Sequence, residues 1–348
     1  NNQKDEWLTI FIPGFTLQVP FRKHTLTLDY RSEIERHSEY DHFDGTFHNA
    51  SGLLELKFAR GLGLNIGYEY KKSRTPPDFE DDTVDDYHHY EGIVEALYQF
   101  TNRYKVTTAY RHVIKDFQDH ENREDNFSMN EGTITLHYRF LPKTHLLLEY
   151  AFSRIDNKDI GDVDTDNDNH HIWMGLEWDP SKKINGRIAG GYTTRKYHHE
   201  QGGEDEDTFS MGGNLNYFFS RFITVALNLE RQIIQTERTS DQSFYGIHYI
   251  RTGGNLSLNY KIPFLTNGFR NSSTTIKGLY YNDDYRRRSA RIRKRDDDRY
   301  GGSVQLSLKY WDDRLDLTLN YRYLENSSNI SLEDYEENRF FVQFSILL

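Results

Sequence analysis

Cysteine is absent from the 348 residues, which excludes disulfides, thiolate metal sites, cysteine nucleophiles and covalent haem attachment. Proline is scarce, at seven residues. No run of about eighteen apolar residues occurs, so a membrane-spanning helix is excluded. That absence leaves a membrane barrel open, because alternating strands average to a polar score. Positive charge is in deficit, and a formal net charge of −11 argues against nucleic-acid binding. The chain opens on Asn1-Asn2-Gln3-Lys4-Asp5 with no signal peptide, so any export signal is expected to have been removed.

What is present is alternation. Leu315, Leu317, Leu319, Tyr321 and Tyr323 alternate with Asp316, Thr318, Asn320 and Arg322, and the same period recurs along the chain. Strands of this kind bury one face and wet the other. Seventeen are expected: Trp7–Gln18, Thr25–Glu39, Thr46–Ala59, Leu64–Lys72, Tyr87–Phe100, Lys105–Asp116, Phe127–Phe140, His145–Ile155, His170–Trp178, Ile184–Tyr197, Thr208–Phe218, Ile223–Arg238, Phe244–Tyr260, Thr274–Tyr285, Tyr300–Tyr310, Leu315–Leu324 and Arg339–Leu348. Short connections such as Arg60–Gly63 and Leu141–Thr144 take turns with long polar ones such as Arg74–Asp86 and Asn282–Arg299. Short turns on one rim and long loops on the other describe an all-β, antiparallel up-and-down transmembrane barrel of 16–18 strands in the bacterial outer membrane, with residues 1–348 as one domain.

Two aromatic rows set the orientation. Phe58, Phe100, Phe140, Trp178, Phe218, Tyr260 and Tyr310 close strands before short connections, and Tyr30, Tyr70, Tyr110, Tyr150, Tyr192, Tyr280 and Tyr321 sit toward the other end of the apolar stretch. Rows sharing the apolar face match the two interfacial girdles of a barrel. A soluble propeller has a similar repeat, but with four short strands per blade; here each repeat of about forty residues holds two long ones. An odd count leaves the first and last strands running the same way, so one further strand ahead of Asn1 is expected to complete eighteen.

Sixteen or more strands leave an aqueous channel. Alternation assigns Asp29, Arg31, Glu55, Lys57, Glu69, Lys71, Glu95, Arg111, Arg139, Glu149, Glu177, Arg187, Glu230, Lys277, Lys309, Asp316 and Arg322 to its wall. These form either a hydrated wall of cross-strand ion pairs or a filter for a polar solute. In one long loop, Arg286, Arg287, Arg288, Arg291, Arg293 and Arg295 form a basic run that could contact a polyanion or lipopolysaccharide phosphates, or stay solvated.

Other chemistry is weaker. Asp162, Asp164, Asp166 and Asp168 lack the Gly and Glu offsets of a calcium loop. The pairs His88-His89, His170-His171 and His198-His199 point to opposite faces of their strands. No nucleophile-elbow pattern frames a serine. Neither a catalytic site nor a metal or cofactor is expected.

The segment Trp7-Leu8-Thr9-Ile10-Phe11-Ile12-Pro13-Gly14-Phe15-Thr16-Leu17, followed by Leu28-Asp29-Tyr30, resembles the early strands of the second putative β-barrel porin family. The ending Phe340-Phe341-Val342-Gln343-Phe344-Ser345-Ile346-Leu347-Leu348 resembles the C-terminal assembly signal of outer-membrane barrels. The resemblance implies a conduit for exopolysaccharide export, and no catalytic residues. Three roles therefore stand as expectations: an exopolysaccharide export porin, a general diffusion porin for small solutes, and a barrel sheathing a partner such as an electron-transfer cytochrome. The expected partners are outer-membrane lipid and lipopolysaccharide, with polysaccharide-export proteins or a periplasmic partner beside them.

Overall fold

Period-two alternation suits an antiparallel ladder with lipid on one face and water on the other, and in the computed structural model the chain forms one sheet of eighteen strands. The structure describes residues 7–39, 44–74, 86–118, 126–158, 165–178, 183–199, 204–235, 248–263, 271–286, 294–311 and 314–346. In chain order the strands are β1 (Leu8–Phe11), β2 (Gly14–Phe21), β3 (His24–His37), β4 (Gly45–Lys57), β5 (Leu62–Arg74), β6 (Asp86–Gln99), β7 (Tyr104–Phe117), β8 (Phe127–Leu141), β9 (Thr144–Asn157), β10 (Asn167–Trp178), β11 (Ile184–Tyr197), β12 (Glu206–Phe218), β13 (Ile223–Gln235), β14 (His248–Lys261), β15 (Ser273–Tyr285), β16 (Asp296–Tyr310), β17 (Leu315–Ser328) and β18 (Tyr335–Ile346).

The expected strand Trp7–Gln18 proves to be two pieces, β1 and β2, both paired antiparallel with β3. They part at Ile12–Pro13, where the proline has no N–H to donate. The second piece runs on to Phe21 and turns at Arg22–Lys23. From β2 onward each strand pairs antiparallel with the next, through to β17 with β18. Among the described residues no ladder joins β18 to β1 or β2. These two edges run in the same direction, as the odd count requires.

The register divides the faces cleanly. Leu256 opposes Leu227 and Gly278 on the outer, lipid side, while Asn255 opposes Asn228 and Leu279 on the inner side. The outer face is apolar and exposed, for example at Ile172, Met174, Leu256 and Ile276. One girdle assignment is corrected: Phe218 pairs with Thr224 on the inner face, and its exposed neighbours Tyr217 and Phe219 supply the lipid-facing rings. The acidic run Asp296–Asp298, expected in a loop, opens β16, where it pairs with Asp283, Asn282 and Asp284.

A fourteen-residue strand such as β3 is ~45 Å long at ~3.3 Å per residue and ~35 Å tall at a tilt of ~40°, against an apolar band of ~25 Å. The wall therefore stands clear of the hydrocarbon. Near the outer aromatic row, glycine pairs cross it at one level: Gly190-Gly191, Gly212-Gly213, Gly253-Gly254 and Gly301-Gly302. A Cβ on Gly191 would lie 1.9 Å from the Ile172 carbonyl oxygen, and one on Gly253 would lie 2.2 Å from that of Tyr280. Only glycine permits backbone to approach this closely here. Gly191→Val is expected to destabilise the folded barrel by about 1–3 kcal/mol, measured as a lowered denaturant midpoint in detergent; an unchanged midpoint would disprove the need for glycine there.

Candidate functional site

The inner face builds the channel from two unlike walls. Across β7–β11 it is charged and self-paired. Arg111 donates to Glu131 at 3.4 Å. Glu149 accepts from Arg187 at 2.9 Å and Thr135 at 2.9 Å, with His171 at 3.3 Å. Glu177 lies 2.7 Å from His137, and Arg139 reaches His145 at 3.1 Å. Thus Glu149, Glu177 and Arg187 come together on adjoining strands with the signs opposed, and Arg139 stands beside them against His145. Glu230, Lys277, Lys309 and Arg322 do not join them. Glu230 accepts from Gln232 at 3.2 Å, Lys309 faces Asp316 across the β16–β17 ladder, Arg322 lies 3.9 Å from Glu337, and Lys277 faces Ser257 and Ser303. Elsewhere on the inner face Asp29 pairs with Arg31 at 3.2 Å, and Glu69 and Glu95 accept from the amides of Asn49 and Asn65.

The second wall, β11–β15, is lined by amides. Asn216 donates to Asn185 at 3.0 Å, Asn228 to Asn255 at 3.0 Å, Asn255 to the Tyr281 hydroxyl at 3.2 Å, and Asn259 to Thr275 at 2.8 Å. These residues escape a reading that looks for charge. The signal was their recurrence on inward positions of successive strands. Among the described residues no three His, Asp or Glu side chains converge as metal ligands.

At the long-loop end the wall splits. The β12–β13 ladder begins at Met211 opposite Arg231, so Glu206–Ser210 and Gln232–Gln235 have no ladder with each other. Arg231 spans the gap, donating to the Phe209 carbonyl at 3.0 Å, Thr252 Oγ1 at 2.6 Å and Thr208 Oγ1 at 3.4 Å.

Above the gap, outer-face residues of β13–β15 meet inner-face residues of β9–β12. Gln235 donates to Asn157 at 2.8 Å, His248 Nδ1 lies 2.9 Å from the Tyr197 hydroxyl, and Arg286 lies 3.0 Å from Glu206. Such contacts place the ends of β13–β15 inside those of β9–β12, like the overlapping edges of a scroll. Burial agrees: His248 and Ile250, both outer-face positions, are each 1% exposed. Burial drives the His248 imidazole down to about 4.

The tucked edge is stiffened from within. Asp283, fully buried, accepts both 2.8 Å and 2.9 Å bonds from Arg251 and also pairs with Arg299. Arg295 binds Asp297 at 2.7 Å and Glu333 at 3.1 Å, over the Tyr285 ring at 4.6 Å. Of the expected polyanion contacts, Arg286 and Arg295 are thus committed to carboxylates of the chain itself, while Arg287, Arg288, Arg291 and Arg293 lie outside the described residues. Asp162 and Asp164 lie outside them too.

A family model described as putative beta-barrel porin 2 matches residues 1–346. No curated protein matches the chain. Among solved structures, the FrpB iron transporter from Neisseria meningitidis is similar at a TM-score of 0.55 and 6% identity, over 94% of this chain and 63% of that one. The pyoverdine outer membrane receptor FpvA from Pseudomonas aeruginosa is similar at 0.51 and 10% identity, over 97% of this chain and 63% of that one. The chain thus spans less than two thirds of either neighbour, and at these identities the likeness is one of fold.

Proposed function

The chain belongs to the putative beta-barrel porin 2 family and forms a channel-type barrel of the bacterial outer membrane, and from that premise we propose that it exports a neutral, hydroxyl-rich polysaccharide. The observation that carries this reading is the amide wall of Asn185, Asn216, Asn228, Asn255 and Asn259. Amides and the Tyr281 hydroxyl can exchange their mutual hydrogen bonds for bonds to sugar hydroxyls, each worth only about 0.5–1.5 kcal/mol net. Conduction needs such contacts, favourable enough to admit a chain and weak enough to release it. The charged wall supports the same reading, because Glu149–Arg187 and Arg111–Glu131 neutralise each other and leave little field to hold an ion. On this reading the partners are export proteins behind the short-turn rim, which the rule for outer-membrane barrels places in the periplasm.

Planar-bilayer recording tests the proposal. A neutral linear oligosaccharide added on the short-turn side is expected to block the current at lower concentration than an anionic oligomer of equal length. Asn228→Leu with Asn255→Leu should raise the blocking concentration by about tenfold, the equivalent of ~1.4 kcal/mol. Normal small-ion conductance with no block by neutral oligosaccharide would defeat the polysaccharide reading and favour general diffusion.

A further inference from the structure

The lipid-facing side of β13–β15 is not smooth. It carries a shallow, open groove of about 880 Å³ lined by Leu227, Leu229, Leu256, Leu258, Ile276 and Tyr280. Its floor is open at Gly278, where an added Cβ would meet nothing within 4 Å. The groove lies in the apolar band, with Tyr280 of the outer aromatic row at its upper edge. Leu229 shares a row with Gly254, which opposes Tyr280. Arg231 follows two residues later, ~7 Å further toward the long-loop rim, at the height of lipid headgroups. Its three hydrogen bonds go to one carbonyl and two hydroxyls, so two of its five N–H groups are left over. Among the described residues no carboxylate stands within ion-pair distance of it.

An apolar groove in the band, with a guanidinium at its headgroup end that has N–H groups to spare and feels Glu206 only at longer range, is complementary to an acyl chain joined to a phosphate. The long-loop rim faces outward in barrels of this kind, and the phosphorylated lipid of that leaflet is the lipid A part of lipopolysaccharide. We infer that this groove is a site for one lipid A molecule, with acyl chains along Leu227, Leu256 and Gly278 and a phosphate on Arg231. Arg suits the role because its planar donors match phosphate oxygens. The site would also brace the wall beside the split, since Arg231 itself bridges β12 and β14. The inference is independent of what the channel carries.

Native mass spectrometry of the full chain in nonionic detergent tests it, with lipid A and phosphatidylglycerol as probes. One lipid A is expected to remain bound under conditions that strip phosphatidylglycerol. Arg231→Gln should weaken retention by about tenfold or more, as loss of a charge-assisted bond would. Gly278→Phe fills the groove without touching Arg231 or the split, and should weaken it comparably while the barrel keeps its heat-dependent gel shift. Several weak adducts indifferent to Gly278→Phe would overturn the site. Equal retention of phosphatidylglycerol, lost in the same variants, would overturn lipid A as its occupant.

Discussion

Asp283→Ala is expected to cost the long-loop end of the wall about 3–5 kcal/mol, the penalty for leaving a buried charge without its partner. Asp283 has no exposed surface and serves two guanidinium groups, Arg251 and Arg299, whose side chains are 18% and 14% exposed. Burial disfavours the charged form of Arg251, yet the bonds from Asp283 hold its pKa above the ordinary arginine value. Without the carboxylate, Arg251 would keep only the rings of Tyr249 and Tyr281 and the longer-range charge of Glu230 to balance it. Hydrogen exchange reads the effect locally, as lost protection over Tyr249–Arg251 and Asp296–Arg299, with the band between the aromatic rows unchanged. A second variant separates lost charge from lost shape: Asp283→Leu together with Arg251→Met should recover part of the deficit, since replacing both partners is far cheaper than orphaning one. Unchanged protection in Asp283→Ala would remove the network from any role in holding the mouth.

Acidification is expected to loosen the scroll. Inside it the His248 imidazole sits at about 4 instead of 6.5, chiefly because it is buried. A base with a lowered value favours the closed form while neutral. That stability is complete above ~6.5 and is lost as pH falls toward about 4, reaching ~3 kcal/mol in all. Arg195 on the facing strand β11 and Arg286, just beyond the neighbouring β15, oppose protonation, and Glu206, 3.9 Å away, only partly compensates. Tyr197, half-buried beside the ring, completes the surroundings.

Single-channel conductance should therefore rise between pH 7 and pH 4.5. His248→Gln should flatten the response. The absence of cysteine gives a clean second control: Gln235→Cys with Asn157→Cys would let a short, cleavable bis-thiol crosslinker tie the overlap, and the locked channel should ignore pH until the linker is cleaved. A wild-type response that persists in the locked form would place the pH sensor elsewhere.

Much of this was legible in the sequence because lipid and water impose period two on every strand. Alternation reached the paired walls, the lipid face and most of both girdles. It failed where a residue's role is set across strands. Phe218 sits beside two other rings, and only its pairing with Thr224 shows which way each points. Asp296–Asp298 look like a solvated loop until Asn282 and Arg295 bind Asp296 and Asp297. The scroll joins residues 51 and 78 positions apart, as in Tyr197–His248 and Asn157–Gln235, and contacts so distant leave no local period.

The two open edges, β2 and β18, both descend from the long-loop rim to the short-turn rim. Copies inserted into one membrane share that direction, so any edge of one copy meeting an edge of another would find only the parallel pattern, the weaker of the two. A strand climbing the opposite way would instead find antiparallel partners on both flanks at once. Direction alone thus disfavours pairing between sister molecules at these edges, a form of protection against edge-to-edge aggregation that requires no particular side chain.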